Sequence, residues 1–110
     1  MAPIHMTAVI APAEGKIDRL EELLVAHAEY ARANEPGTLH YDVQRGVNRE
    51  TGAETLIVWE RYADKAAEAA HFNNDAFSKL IQTLGAEALT TGAPSVYVTS
   101  SAGGIANYNS

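Results

Sequence analysis

Histidine and aromatic side chains are the residues of this 110-residue chain whose types and spacing could do chemistry. His71 closes the run AAEAAH and is followed directly by Phe72, while His27 and Tyr41 stand earlier in the chain. An imidazole can take up a proton near neutral pH, and a phenol can donate a hydrogen bond to a developing oxyanion. The residue types therefore favour proton transfer at the wall of an apolar, aromatic-lined pocket.

Each of these residues also has a purely structural explanation. His71 could satisfy the last carbonyls of a helix and its dipole, and this alternative is as good as a role as general base. His27 falls on the apolar side of a predicted helix, where a core histidine with one backbone partner is the simpler interpretation. Tyr41 is either a pocket wall and donor or an ordinary core tyrosine. Glu60 stands among apolar neighbours, and we expect it to pair with a tyrosine hydroxyl or an arginine rather than to act as a catalytic carboxyl.

Other chemistries lack a motif in this sequence. The four histidines, at positions 5, 27, 40 and 71, form neither an i, i+4 pair nor a His-x-His, so no metal site is predicted. The absence of cysteine excludes a thiolate nucleophile, a disulfide and a sulfur-ligated metal. No P-loop, G-x-G-x-x-G or G-x-S-x-G pattern occurs, so nucleotide binding and serine hydrolysis have no support.

Charge and length set wider limits. The chain has 8 basic and 14 acidic residues and a formal charge of −6, which opposes binding to nucleic acid and to anionic membranes. No stretch approaches the roughly 18 apolar residues of a spanning helix, and the start MAPIHMTAV lacks the basic region of a signal peptide. We therefore expect one domain over residues 1–110 in a soluble, cytoplasmic protein.

The elements that position these residues follow from periodicity. Strands are predicted where β-prone residues alternate or cluster, at residues 4–11, 38–45, 54–62 and 95–100. Apolar residues at helical spacing predict a first helix over 16–33, which Pro36 ends and after which Gly37 suits a left-handed position. A second helix opens at the N-cap Asp64, is interrupted at Asn73-Asn74-Asp75 and resumes to a stop at Gly85.

The order β-α-β-β-α-β predicts an α+β fold, a split β-α-β pattern with a four-stranded antiparallel sheet and helices on one face. In the second strand, alternation puts Tyr41 on the same face as Leu39 and Val43. Trp59 and Tyr62 lie on opposite faces of the third strand, so at most one of them can share the side of Tyr41. The register that decides between them is not fixed by the sequence.

Both faces of the sheet carry apolar residues. In the third strand Leu56, Val58 and Tyr62 alternate with Ile57 and Trp59, yet the predicted helices cover one face only. We therefore expect a second copy of the chain to pack sheet against sheet and form a homodimer. A monomer with an exposed aromatic face is the alternative.

The C-terminal tail, residues 100–110, is rich in glycine and asparagine and resists assignment to an element. It carries Ile105 and Tyr108 after the flexible pair Gly103-Gly104. We expect these two side chains to dock on the partner subunit or near a pocket mouth, because the glycines supply the bend and the apolar residues the anchor.

A set of short patterns runs through the chain in a fixed order. They are E-P-G-x-L-x-Y, then a strand ending in an aromatic residue and Glu, then D-x-x-A-x-x-x-H with a later aromatic residue. Here they fall on Glu35, Pro36, Gly37, Leu39, Tyr41 and Asp42, on residues 58–62, and on Asp64, Ala67, His71 and Phe77. With these patterns the chain resembles the antibiotic biosynthesis monooxygenase domain over about residues 4–99. The resemblance implies a ferredoxin-like protomer that pairs into a dimeric α+β barrel.

The resemblance also implies a class of chemistry, which is oxygenation of phenols, quinols or anthrones by O2 without a cofactor. Similar proteins include sugar-phosphate isomerases and haem-degrading enzymes. Haem is not expected here, because Ile81 stands where the haem-binding branch carries its axial histidine and an aliphatic side chain cannot ligate iron. An electron-rich phenolate or carbanion can pass an electron to O2 itself, so the protein needs only an apolar pocket, a base and oxyanion donors.

We therefore predict a cofactor-independent monooxygenase that acts on a small phenolic, quinol or anthrone-type substrate. The predicted catalytic residues are His71 and Tyr41, and the predicted substrate-binding residues are His27, Trp59, Tyr62, Phe72 and Phe77. An isomerase using the same pocket is one alternative, and it would need Lys or Arg in the cleft to hold a phosphorylated substrate. A non-catalytic dimeric binding protein is the other.

Overall fold

The computed structural model describes residues 3–105, which fold in the order β-α-β-β-α-α-β. The strands are β1 (Ile4–Ile10), β2 (Thr38–Val47), β3 (Glu54–Tyr62) and β4 (Ser95–Thr99). The helices are α1 (Ile17–Asn34), α2 (Lys65–Phe72) and α3 (Asp75–Ala86). This arrangement confirms the predicted α+β, ferredoxin-like order, with the second helix divided into α2 and α3.

The four strands form one antiparallel sheet in the order β2-β3-β1-β4. The register places Glu60 of β3 between Met6 of β1 and Tyr41 of β2. Between Thr38 and His40 the register of β2 shifts by a bulge, a local insertion that re-aims the side chains around it. Leu39 lies at this bulge and is 47% exposed, so it does not join Tyr41 on the buried face as the simple alternation predicted.

The core lies between one face of the sheet and the three helices. Leu20 and Leu24 of α1 and Leu80 of α3 pack on Ala8, Ile10, Leu56 and Val58 of the sheet, and Leu89 closes the cluster. Full burial of a leucine side chain stabilises a fold by roughly 1.5–3 kcal/mol. This face therefore carries most of the hydrophobic stabilisation that the described residues supply.

Polar side chains define the break between α2 and α3. Asp64 caps α2 as predicted, because its carboxylate accepts from the N–H of Ala67 at 2.8 Å. Asn74 caps α3 in the same way, accepting from the N–H of Phe77 at 2.9 Å. The helix α3 continues one residue beyond the predicted stop at Gly85.

Gly37 lies where β2 begins, and its role differs from the prediction. Its backbone does not adopt the left-handed conformation expected of a helix stop. Instead, a Cβ atom at this position would lie 2.5 Å from the Cβ of Ala67 in α2, closer than real Cβ atoms approach one another. The glycine is therefore needed for close packing, which brings the end of α1 and the start of β2 against α2.

The opposite face of the sheet, which we call the outer face, is covered by no helix from residues 3–105. Trp59 and Tyr97 both pair with Thr7 across this face and are 54% and 58% exposed. His40 and Asp42 of β2 are exposed as well. Among residues 3–105, no helix combines the length and the apolar character needed to cross a membrane.

Candidate functional site

A cavity of about 400 Å³ lies between the sheet and the helices α2 and α3. Its walls are mainly aliphatic and aromatic, and its polar lining consists of Tyr41, Glu60, Glu68, His71 and Thr90. A volume of this size suits a small ring system, and few polar groups in apolar walls are typical of small-molecule sites. The cavity is therefore the candidate active site.

His71 reaches this cavity from the last turn of α2 and is only 1% exposed. Its Nδ1 lies 2.6 Å from Oε1 of Glu35, the residue that follows α1. The close approach at Gly37 is what allows this contact between the end of one helix and the end of another.

Glu35 is held as an anion by its surroundings. Burial alone would raise its pKa, but hydrogen bonds from His71 and Thr38 outweigh burial and hold the pKa below its usual value. The Thr38 hydroxyl donates at 2.8 Å, and the Asn74 amide donates to the second carboxylate oxygen at 3.2 Å. Because an ionised carboxylate can only accept, the Nδ1 of His71 carries the proton and donates a hydrogen bond to Glu35.

The other ring nitrogen of His71 is left free. Within the described part of the chain, Nε2 is buried and has no hydrogen-bond partner. With Nδ1 protonated, Nε2 of the neutral ring is the nitrogen that can accept a proton. This arrangement matches the chemistry of an imidazole base oriented by a carboxylate.

The carbonyls at the end of α2 are satisfied by asparagines rather than by His71. The Asn73 amide donates to the carbonyl of Ala69 at 2.9 Å, and the Asn74 amide donates to that of Ala70 at 2.8 Å. The side chain of His71 is therefore available for its contact with Glu35, and the capping explanation considered for it does not account for its position.

An aromatic cluster surrounds the imidazole of His71. Its ring centroid lies between 4.8 and 6.0 Å from those of five other rings, which belong to His27, Tyr41, Tyr62, Phe72 and Phe77. All the predicted site residues except Trp59 are thus brought together. Tyr41, Phe72 and Phe77 also line the cavity, whereas His27 and Tyr62 contact His71 without lining it.

His27 is buried beside His71, with a ring centroid separation of 5.1 Å. Burial, and then the proximity of His71, lower the pKa of His27. Its Nε2 has no hydrogen-bond partner among residues 3–105. We therefore assign His27 as a neutral member of the cluster.

Trp59 lies apart from this site, on the outer face of the sheet. The register pairs Tyr41 of β2 with Glu60 of β3, so both side chains lie on the helix-facing side of the sheet. Because side chains alternate along a strand, Tyr62 lies on this side as well. Trp59, at an odd position, is directed to the opposite face and is 54% exposed. The sequence left the choice between Trp59 and Tyr62 open, and the register places Tyr62 in the cluster.

Glu60 lies on the cavity wall as a buried carboxyl, 7% exposed. It accepts a short hydrogen bond from the hydroxyl of Tyr62, which is the tyrosine partner that the sequence predicted. Burial raises the pKa of Glu60 to about 7. The hydrogen bond from Tyr62 lowers this pKa, and the charge of the nearby Glu68 raises it.

The two tyrosines of the cluster are held in their neutral form. Burial, and then the charge of Glu60, raise the pKa of Tyr41 and that of Tyr62 well above the usual value for a phenol. Both therefore remain hydrogen-bond donors at any pH at which the protein would work. Tyr62 uses its hydroxyl on Glu60, which leaves Tyr41 as the phenol that lines the cavity.

Sequence reasoning did not identify Glu35 as part of the site. Glu35 and His71 are 36 residues apart, and no local periodicity connects the end of one helix with the end of another. The sequence marks both helix ends, with Pro36-Gly37 after α1 and Asn73-Asn74 after α2. Two helix ends can meet in a fold, and this is the pattern from which Glu35 could have been identified. Residues 3–105 contain no group of three or more His, Cys, Asp or Glu side chains placed to hold a metal ion.

Comparison with known proteins agrees with this fold. The family model described as antibiotic biosynthesis monooxygenase matches residues 3–83, and the chain therefore belongs to the antibiotic biosynthesis monooxygenase family. No curated protein matches the chain. The family and its solved members support a monooxygenase-type function in general terms.

Solved structures from several bacteria resemble most of the chain. A candidate antibiotic biosynthesis monooxygenase of Caulobacter crescentus is 25% identical, with a TM-score of 0.77 and coverage of 92% of this chain and 91% of that one. A protein of Pseudomonas aeruginosa is 27% identical, with a TM-score of 0.72 and coverage of 90% and 93%. A protein of Mycobacterium tuberculosis, 24% identical with a TM-score of 0.77, covers 96% of this chain over 100% of its own length and shares the fold.

Proposed function

We propose that this protein oxidises a phenolic, quinol or anthrone-type ring with O2 and requires no bound cofactor. The observation that carries the proposal is the pair formed by Glu35 and His71. One nitrogen of the imidazole is tied to an anionic carboxylate, while the other is buried without a partner. An imidazole held in this way can take a proton from a substrate that reaches Nε2.

The reaction begins with transfer of a proton from a substrate hydroxyl or acidic C–H group to Nε2 of His71. Glu35 stabilises the imidazolium that forms and keeps the ring in one orientation. The resulting phenolate or carbanion is electron-rich enough to give one electron to O2 and then combine with the reduced oxygen. Tyr41 donates a hydrogen bond to the substrate oxyanion, and Phe72 and Phe77 supply apolar walls.

The lining of the cavity argues against a phosphorylated substrate. Its ionisable members are Tyr41, Glu60, Glu68 and His71, and among residues 3–105 neither Lys nor Arg lines it. Within residues 3–105 a phosphate in this cavity would meet no cationic Lys or Arg to offset its charge, and the negative charge of Glu68 would repel it. The isomerase alternative, in the form that needs basic residues in the cleft, therefore loses its support.

Oxygen uptake tests the proposal. Purified protein, assayed to be free of metal and flavin, is expected to consume O2 with at least one member of a panel of hydroquinones and anthrones, above the rate of spontaneous oxidation. No uptake with any member of the panel would overturn the proposal. Binding of the same compounds without turnover would then support the non-catalytic alternative.

The substitution His71→Ala tests the residue assignment. Positioned proton transfer contributes about 10²–10⁴-fold to a rate, so kcat/KM is expected to fall by at least about 10²-fold while the circular dichroism spectrum is retained. His40→Ala is the matched control, since His40 is an exposed histidine of β2 outside the cavity, and it is expected to keep the wild-type rate. Full activity of His71→Ala would mean that another group is the base.

A further inference from the structure

Glu60 is a buried ionisable group that the first proton transfer does not use. It comes from β3, on the wall of the cavity formed by the sheet, whereas His71 comes from α2 on the helical wall. A substrate that fills the cavity therefore lies against a carboxyl group on one side and an imidazole on the other.

The cavity side chains around Glu60 are mostly apolar, and within residues 3–105 they include neither Lys nor Arg. Its neighbours across the sheet are Met6 of β1 and Tyr41 of β2, and within residues 3–105 it forms no ion pair. Among residues 3–105, Glu60 receives a side-chain hydrogen bond from the hydroxyl of Tyr62, on Oε1. A carboxyl group in such a place is best accommodated as the neutral acid, which has a proton to donate.

We propose that Glu60 is the general acid of this site and protonates the oxygen that leaves when a substrate hydroperoxide collapses to a ketone. The inference rests on the proposed oxygenase function and narrows its substrate to a ring methylene of the anthrone type. The raised pKa of Glu60, about 7, supports this role because the acid form is well populated at neutral pH.

The proton and electron balance is complete without another reactant. His71 removes one methylene proton, O2 adds to the carbanion, and the imidazolium returns the proton to give a C–O–OH group. His71 then removes the second proton from the same carbon, the C=O bond forms and the O–O bond breaks. The departing hydroxide takes the proton of Glu60 and leaves as water, and the imidazolium restores the proton of Glu60. One methylene and one O2 thus give one ketone and one water.

The groups that face Glu60 set the pH at which it can act. They are the hydroxyl of Tyr62 on its own strand, Tyr41 on β2, and Glu68 and His71 on α2; β1 and α3 contribute apolar side chains to this region. The negative charge of Glu68 favours the neutral acid, and the Tyr62 hydrogen bond favours the anion. Removal of the Tyr62 hydroxyl is therefore expected to move the basic limb of the kcat profile to higher pH.

The test compares Glu60→Gln with wild type in two half-reactions. Glutamine keeps an oxygen that can accept from Tyr62 but has no proton to transfer near neutral pH. Exchange of anthrone methylene hydrogen with D2O, measured without O2, is expected to continue at the wild-type rate because His71 catalyses it. Turnover in the presence of O2 is expected to fall by about 10²-fold or more, with little change in KM. Tyr62→Phe is expected to turn over but with the shifted pH profile.

Each result distinguishes the two proposals. Wild-type turnover in Glu60→Gln overturns the acid role and leaves the oxygenase intact. Loss of exchange in Glu60→Gln overturns it as well, since Glu60 would then serve the first proton transfer. Absence of turnover by the wild-type protein with every anthrone overturns the present inference, whereas the oxygenase proposal falls only if every hydroquinone fails as well. Infrared spectra provide a test that does not depend on activity. We expect a protonated-carboxyl band that titrates near pH 7 in wild type and is missing in Glu60→Gln. Ionisation of Glu60 at its ordinary pKa would overturn the inference.

Discussion

At the scale of single residues, the site depends on one carboxylate and one imidazole from distant parts of the chain. Glu35 accepts from three donors, His71, Thr38 and Asn74, and its pKa is lowered although it is partly buried. An anion fixed in this way determines which nitrogen of His71 carries the proton. The base is therefore oriented before any substrate arrives.

The substitution Glu35→Gln tests this orientation. An amide oxygen can still accept from Nδ1, but it lacks the charge that stabilises the imidazolium formed during proton transfer. We expect kcat/KM to fall by at least about 10-fold with little change in KM, and nitrogen NMR to show a mixed tautomer of His71. Thr38→Val removes another donor to the same carboxylate but leaves its charge, so a smaller loss is expected. An equal loss in both variants would indicate a general disturbance of the site.

The buried carboxyl of Glu60 predicts how stability depends on pH. Its folded-state pKa is about 7, above its ordinary value of 4.5, so the folded state keeps a proton that the unfolded state releases between these values. The contribution of Glu60 to stability is therefore fully present below about pH 4.5 and is lost as the pH rises to 7. The size of this loss is roughly 2–4 kcal/mol.

Glu60→Gln is expected to remove this pH dependence. Urea unfolding at fixed protein concentration, at pH 5 and pH 8, should show a larger loss of stability for wild type than for the variant. His27, whose pKa is lowered, contributes a slope of the opposite sign that is present in both proteins and cancels in the difference. Parallel behaviour of the two proteins would contradict the raised pKa of Glu60.

At the scale of elements, the approach of β2 to α2 is the contact that assembles the site. It depends on Gly37, where an added Cβ would lie 2.5 Å from that of Ala67. A helix and a strand that were pushed apart here would separate Glu35 from His71. The glycine therefore contributes to function through packing rather than through an unusual backbone conformation.

Gly37→Ala is expected to lower stability by about 1–3 kcal/mol, since the backbone must shift to relieve the clash. The melting temperature measures this effect. Gly85→Ala is the matched control, because the added Cβ would meet no described atom within 4 Å apart from its chain neighbours and its own helix backbone. Since the residue is helical, this change should raise stability by up to about 1 kcal/mol. Combining Gly37→Ala with Ala67→Gly should restore part of the loss, and failure to do so would mean that the strain lies elsewhere.

The elements themselves could be predicted from the sequence, because alternation and helical spacing are local signals. Each predicted strand and helix occurs within a few residues of its expected limits, and the break at Asn73 and Asn74 divides the second helix as expected. The bulge at Leu39 and the register that separates Trp59 from Tyr62 could not be predicted, because both depend on how strands pair. For the same reason the cluster of rings was expected only in part, and its orienting carboxylate was missed.

At the scale of the whole molecule, the outer face of the sheet carries large apolar side chains without cover from the described residues. Trp59 and Tyr97 are more than half exposed on it, while the helices occupy the other face. Aromatic side chains at the centre of an interface contribute strongly to association. The homodimer therefore remains our prediction, with the two outer faces in contact.

Sedimentation at micromolar concentration checks this prediction. Wild type is expected at twice the protomer mass of 11.8 kDa. Trp59→Glu should weaken association strongly because it buries an unpaired charge in the interface. Val25→Glu is the control, since Val25 is an exposed apolar residue of α1, away from the sheet, and it should leave the dimer unchanged. A folded wild-type species at the protomer mass would exclude the dimer.

The tail is expected to respond to dimer formation. Ile105 is 95% exposed on the isolated protomer, and Tyr108, which we also expect to dock, lies outside the described residues. Deletion of residues 103–110 should lower the melting temperature or the affinity of the dimer if these side chains bind the partner. An unchanged melting temperature, dimer affinity and ligand affinity would contradict this role.

The edge position of β4 has a consequence for how quickly the molecule opens. This strand pairs only with β1, its five residues are all exposed, and Pro94 and Val96 line the cavity on this side. Amide hydrogens of a short, solvent-exposed edge exchange through local fluctuations, whereas those of the central strands β1 and β3 require far larger ones. We therefore expect a substrate to reach the cavity past β4 while the central strands stay intact, including β3, which carries Glu60.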